Sequence, residues 1–151
     1  MNKEELLERT AQRILECSRC ELRQNASQPV PGIGNPDAEY MIIGEAPGSE
    51  EDKVGIPFVG KSGQKLDQLT ALAGIDKNSC YYTNTVRCRP PKNRNPRKKE
   101  MAACREYLEN EMLIIQPKYV ITLGAIPLGL FAQDGLKSMH GTMFPYEIGE
   151  E

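Results

Sequence analysis

The sequence predicts an α/β domain, a three-layer sandwich around a mainly parallel central sheet. Two observations carry that prediction. Apolar or β-branched runs at Tyr40–Ile43, Cys80–Val86 and Lys118–Leu123 alternate with helical patterns, the arrangement that builds parallel sheets. The first run, Tyr-Met-Ile-Ile, shows no polar alternation, as expected of a buried strand. At 151 residues the chain fits one domain, residues 1–151, with room for a real core.

The elements follow in order. Asn2–Glu16 places Leu6, Leu7, Ile14 and Leu15 among charged residues, an amphipathic helix. Gln24–Asn35 is a polar loop rich in proline and glycine, and the first strand follows it. Gly44 to Asp52 then reads as a tight acidic loop at the carboxyl end of that strand. Gly55–Gly63 is a second loop, with glycines bracketing Phe58 and Val59. Leu66, Leu69, Leu72 and Ala73 predict a helix over 62–73, and Gly74 stops it. After the strand at Cys80–Val86, Asn95 and Pro96 predict the cap and first turn of a helix reaching about Ile115. The third strand lies at Lys118–Leu123, a short helix follows over 124–132, and 142–148 reads as an edge strand or hairpin limb.

Composition narrows the function. The formal net charge is −2, which argues against an indiscriminate nucleic-acid binder. No apolar run is long enough to cross a bilayer, and Met1–Glu16 is no basic-then-apolar leader, so the expectation is a cytoplasmic protein. Charge is nevertheless segregated. Arg87, Arg89, Lys92, Arg94, Arg97, Lys98 and Lys99 form a basic block interrupted by Pro90, Pro91 and Pro96. A charge run is usually a solvated face; a basic loop near a ligand edge also suits phosphate contacts.

In open α/β sheets ligands bind at the carboxyl edge of the strands. Glu45, just beyond the first strand, is placed to act as a general base, to position a water or to ligate a metal.

Five cysteines in such a chain favour a metal site or scattered core thiols over disulfides. Cys17 and Cys20 are spaced C-x2-C, Cys88 sits in the basic loop and Cys104 on the following helix, with Cys80 apart. Cys17, Cys20 and Cys88 stand beside arginines, in surroundings unlike a core. Four thiolates without a nearby histidine suit zinc or an iron–sulfur cluster. A zinc ribbon prefers two C-x2-C pairs, so the spacing tilts toward a [4Fe–4S] cluster acting as a structural clamp between the N-terminal helix and the basic loop.

Three segments together resemble the family 4, iron–sulfur uracil-DNA glycosylases. Gly44-Glu-Ala-Pro-Gly48 with Glu51-Asp52 looks like the family's first motif, and Gly55-Ile-Pro-Phe-Val-Gly60 like its base-stacking loop. Thr83-Asn84-Thr-Val-Arg-Cys88-Arg-Pro-Pro91 resembles the strand that carries the uracil-reading asparagine and the third cluster ligand. The resemblance implies DNA repair by excision of uracil, with a base extruded, held flat and read on its edge. It implies Glu45 near the glycosidic bond, and main-chain amides of Gly44 and Ala46 receiving the charge of the departing uracil. It gives Phe58 the stacking face and Asn84 the donor and acceptor; on their own, Phe58 is more often a core residue and Asn84 a turn or cap. Arg89, Lys92 and Arg94 would hold DNA phosphates, and Cys17, Cys20, Cys88 and Cys104 the cluster. The implied protein is a monomer acting on uracil-containing DNA away from membranes.

The family's late His-Pro motif finds no match in these residues. His140, the single histidine, is followed by Gly141 and resembles a turn before the family's last strand, so no role transfers to it. Without that donor, worth about 2.7–4 kcal/mol in comparable anion holes, the expectation for the sequence as given is a pocket that binds uracil but cuts slowly, or a truncated chain. The rival readings are a non-catalytic iron–sulfur DNA-binding protein of the same fold and a zinc-stabilised nucleotide-binding domain.

Overall fold

The computed structural model describes residues 1–132, 143 and 146. Its helices are α1 (Lys3–Leu15), α2 (Leu22–Asn25), α3 (Ser49–Val54), α4 (Lys61–Leu72), α5 (Lys98–Ile115) and α6 (Ala125–Leu128). The strands are β1 (Ile33–Gly34), β2 (Tyr40–Gly44), β3 (Cys80–Asn84) and β4 (Tyr119–Thr122). The edge element expected over 142–148 falls largely outside the described residues, as does His140.

The sheet order is β1-β3-β2-β4, with β2, β3 and β4 parallel and β1 antiparallel to β3. The three-layer α/β prediction therefore holds for these elements. β3 is buried at every residue and β2 at all but its first, because helices cover both faces. On one face Met41, Ile43 and Tyr81 pack with Leu108, Met112 and Ile115 of α5. On the other, Ile42, Cys80 and Tyr82 pack with Leu66 of α4. A third apolar cluster joins Ile14 of α1 and Leu22 of α2 to Val86, Cys88, Cys104 and Tyr107.

Register positions the site. β2 and β3 run side by side from Tyr40 opposite Cys80 to Gly44 opposite Asn84, so both strands end at one edge. Beyond Asn84 the chain leaves regular strand two residues before the predicted end. Thr85 donates its N–H (2.9 Å) and its hydroxyl (3.0 Å) to the Gly44 carbonyl. Val86 N–H donates to the Glu45 carbonyl at 3.2 Å.

Two other boundaries differ from the sequence reading. α5 begins at Lys98 with Arg97 as its cap, not at Asn95 and Pro96. The Glu100 carboxylate decides this: it accepts the Arg97 N–H at 2.8 Å and both arms of the Arg94 guanidinium at 2.8 Å. The acidic stretch after β2 is partly the helix α3, because Glu51 accepts the Gly48 N–H at 2.9 Å and closes its first turn.

Candidate functional site

At the carboxyl edge, three residues from separate segments meet. A side chain at Gly44 would lie 2.6 Å from Asn84 Oδ1 and 2.7 Å from Phe58 Cζ. Both side chains thus converge on bare main chain, which only glycine leaves accessible. Asn84 is 4 % exposed, and among the described residues its amide has no hydrogen-bond partner. An asparagine amide at this edge can offer a ligand both a donor and an acceptor.

Phe58 is held there under strain. Its φ is +58°, a left-handed conformation that costs a bulky residue about 1–3 kcal/mol. Two contacts impose it. Gly63, in the first turn of α4, lies so close to the Phe58 carbonyl that any side chain would collide. The Glu51 carboxylate accepts the next two amides, Val59 at 3.0 Å and Gly60 at 2.7 Å. The ring leans on Tyr82 with centroids 5.9 Å apart and planes at 57°. Glu51 is thus a positioning residue that sequence reasoning took for part of an acidic loop. Its neighbour Asp52 is likewise occupied, accepting the Ser27 N–H at 2.8 Å.

Glu45 is half-buried one residue past β2. A side chain on Gly124, just after β4, would lie 3.2 Å from its Oε1, so Glu45 reaches toward the end of the third parallel strand. Gly44, Glu45, Phe58 and Asn84 are therefore brought to one edge, while the Ala46 side chain packs on the cysteine cluster.

The three basic residues part company. Lys92 is exposed, with φ +55° followed by Asn93 at +56°. Arg89 is half-buried and donates to Asn93 Oδ1 at 2.8 Å. Arg94 is committed to Glu100, whose carboxyl its hydrogen bonds hold below the usual range. Arg87, placed by sequence in the basic loop, is 1 % exposed and belongs to the core. Its NH1 donates to Glu111 Oε2 at 2.9 Å and its NH2 to Oε1. Glu111 also accepts the Tyr81 and Thr83 hydroxyls at 2.9 Å each. The signal for this pair lay in α5, where Glu111 shares the buried face of Cys104, Tyr107, Leu108, Met112 and Ile115.

Cys17, Cys20, Cys88 and Cys104 gather on the third apolar cluster, and all are unbridged. Cys88 and Cys104 are 6 % and 5 % exposed, correcting the expectation that Cys88 stands in polar surroundings: α1 and α2 fold over it. Burial pushes the Cys88 thiol up to about 12, and the neighbouring Cys104 and Cys20 add to the shift. Burial also raises Cys104, opposed by the main-chain N–H and the charge of Arg87. Cys80 stands apart, its thiol donating to the Asp76 carbonyl at 3.5 Å.

Four thiols without a histidine form a donor set that an iron–sulfur cluster accepts. Among the described residues no three histidine, cysteine or acidic side chains converge on a single-ion site; zinc would draw its sulfurs within about 4.6 Å of each other. A cubane takes one cysteine per iron and spreads its ligands wider.

Fold and edge together define an α/β domain with Gly44, Phe58 and Asn84 gathered at the carboxyl end of its parallel strands. The chain matches the uracil DNA glycosylase superfamily over residues 31–148. It is 44 % identical over 119 residues to a type-4 uracil-DNA glycosylase of Sulfurisphaera tokodaii, covering 78 % of this chain and 54 % of that protein. It is 43 % identical over 135 residues to the type-4 enzyme of Thermotoga maritima, covering 89 % and 70 %. A type-5 uracil-DNA glycosylase of Thermus thermophilus is 34 % identical over 144 residues, covering 82 % and 65 %. The chain belongs to the uracil-DNA glycosylase superfamily, on its type-4 branch. It spans between 54 % and 70 % of the length of these relatives.

Proposed function

We propose that this chain carries the uracil pocket of a DNA-repair glycosylase that hydrolyses the N-glycosidic bond of uracil in DNA. The observation that supports this most is the Asn84 amide, without a hydrogen-bond partner among the described residues, beside Phe58 and the bare main chain of Gly44. The Asn84 Nδ2 donates to uracil O4 and its Oδ1 accepts from N3–H. Cytosine presents an amino donor and a ring acceptor at those positions, so both contacts turn repulsive. Phe58 stacks on the extruded base.

In the reaction a water oxygen bonds to C1′ as the C1′–N1 electron pair departs with uracil. Glu45 positions the water, takes its proton and offsets the positive charge on the sugar. The Gly44 and Ala46 amides face the uracil anion. Phosphates are held chiefly by Lys92, with Arg89 beside it and Arg94 contributing less because Glu100 occupies it.

Cys17, Cys20, Cys88 and Cys104 would hold a [4Fe–4S] cluster, and its part is structural, pinning α1 to the segment that leaves β3. The protein works as a cytoplasmic monomer; among the described residues no helix is long and apolar enough to cross a membrane.

The test is release of uracil from single- and double-stranded oligonucleotides by iron-replete protein. Abasic product, slowed in Glu45→Gln, is the expected result. No preference for uracil-containing strands, in binding or in cleavage, would remove the proposal.

A further inference from the structure

Among the described residues, the Arg87 guanidinium keeps one nitrogen with no acceptor at all. NH1 and NH2 each give an N–H to Glu111, while Nε is fully buried and unpartnered. Buried donors of this kind are rare in folded proteins, and each asks for an explanation. Tyr82 carries the other orphaned atom among the described residues. It lies in the α4 layer, on the opposite face of the sheet.

The surroundings of Arg87 point in one direction. The next residue is Cys88, which packs with Val86 and Cys104 in one buried cluster. Cys104 and Glu111 are seven residues apart on α5, two turns along one helix face. Glu111 thus fixes the guanidinium at one end of that face while Cys104 stands at the other. Arg19 and Arg23 also stand close to the thiols in sequence, one just before Cys20 and the other three residues beyond it. Both differ from Arg87 in having other engagements: Arg19 pairs with Glu106 at the surface and Arg23 donates to the Ala26 carbonyl. Arg87 is the arginine buried at 1 %.

We infer that Arg87 is a positioning residue for the cysteine-bound cluster. Its Nε–H donates to a sulfur of that group, and its buried charge, anchored by Glu111, offsets the negative charge that four thiolates bring into an apolar core. The inference rests on the proposal that these cysteines hold a [4Fe–4S] cluster. Hydrogen bonds to cluster sulfurs and nearby positive charge both stabilise the reduced, more negative form, and so raise the reduction potential. Arg87 also belongs to the segment that runs from Asn84 to Cys88, and its carbonyl accepts the Val30 N–H at 2.7 Å. One residue therefore ties the cluster to the strand that presents the pocket.

The experiment measures the midpoint potential of the cluster's one-electron couple in iron-replete protein, by poised electron paramagnetic resonance. The variants are Arg87→Lys, which keeps the charge and loses Nε–H, and the double change Arg87→Met with Glu111→Gln, which removes both charges together. Expected is a more negative potential in the double variant and a smaller shift in the same direction for Arg87→Lys. A double variant with full iron and the wild-type potential overturns the inference. If the double variant does not fold, an unchanged potential in Arg87→Lys overturns the hydrogen bond on its own. Absence of iron from wild-type protein overturns the cluster proposal itself, a result distinct from either.

Discussion

The two faces of β3 meet opposite fates. Tyr81 and Thr83 turn to α5, and their hydroxyls join Arg87 in saturating the Glu111 carboxylate. Asn84, on the other face, lies beside Phe58 and Gly44 with no hydrogen-bond partner for its amide among the described residues. A polar group surrounded by partners holds the fold together; one without them asks for an explanation, and in the proposed function uracil is the missing partner. The backbone follows the same division, since the strain at Phe58 lies on the open side.

The largest expected effect comes from breaking the closed side. Glu111→Leu alone strands the Arg87 charge and should destabilise by about 3–5 kcal/mol in urea unfolding. A loss below about 1 kcal/mol would mean the pair is not the scaffold described. On the open side, Phe58→Ala should weaken binding to a single-stranded uracil oligonucleotide by about 1–3 kcal/mol. Stability should fall less than in Glu111→Leu, because the change keeps the backbone strain and removes only the half-buried ring's contact with Tyr82. If unfolding free energy falls as far as in Glu111→Leu, Phe58 is a core residue.

Smaller effects sharpen the division within the basic segment. Lys92→Ala should reduce the slope of log affinity against log salt by about 0.7 on single strands, and Arg94→Ala by less. Equal slopes would show that Glu100 does not withhold Arg94. The smallest effect is a pH dependence. Arg94 holds the Glu100 carboxyl below its ordinary value of 4.5, so its contribution is present above that pH and is lost as pH falls through the depressed value. Glu100→Gln should flatten the stability profile in this acid window alone.

Much of this was legible in sequence because it is local. β2 announced itself as an apolar run, and the cysteines by spacing. Glu45 was readable from its place just beyond the first strand; Phe58 and Asn84 were readable as site residues only through family resemblance, since locally they look like a core aromatic and a turn residue. The omissions are long-range or very short. β1 is two residues inside a glycine-rich loop and exists because it pairs with Tyr81 and Tyr82. The start of α5 moved because Arg94 and Arg97 both find Glu100. Arg87 looked solvated within a basic block, since its partner lies 24 residues away.

The central claim is that the Asn84 amide reads the edge of uracil. It is tested most directly by equilibrium binding to single-stranded oligonucleotides that differ only in one uracil or one cytosine. Wild-type protein should prefer uracil by a hundredfold or more, about 2.7 kcal/mol, and Asn84→Ala should bind both alike with unchanged thermal stability. A wild-type protein that does not distinguish the two bases, or an Asn84→Ala variant that still does, would contradict it.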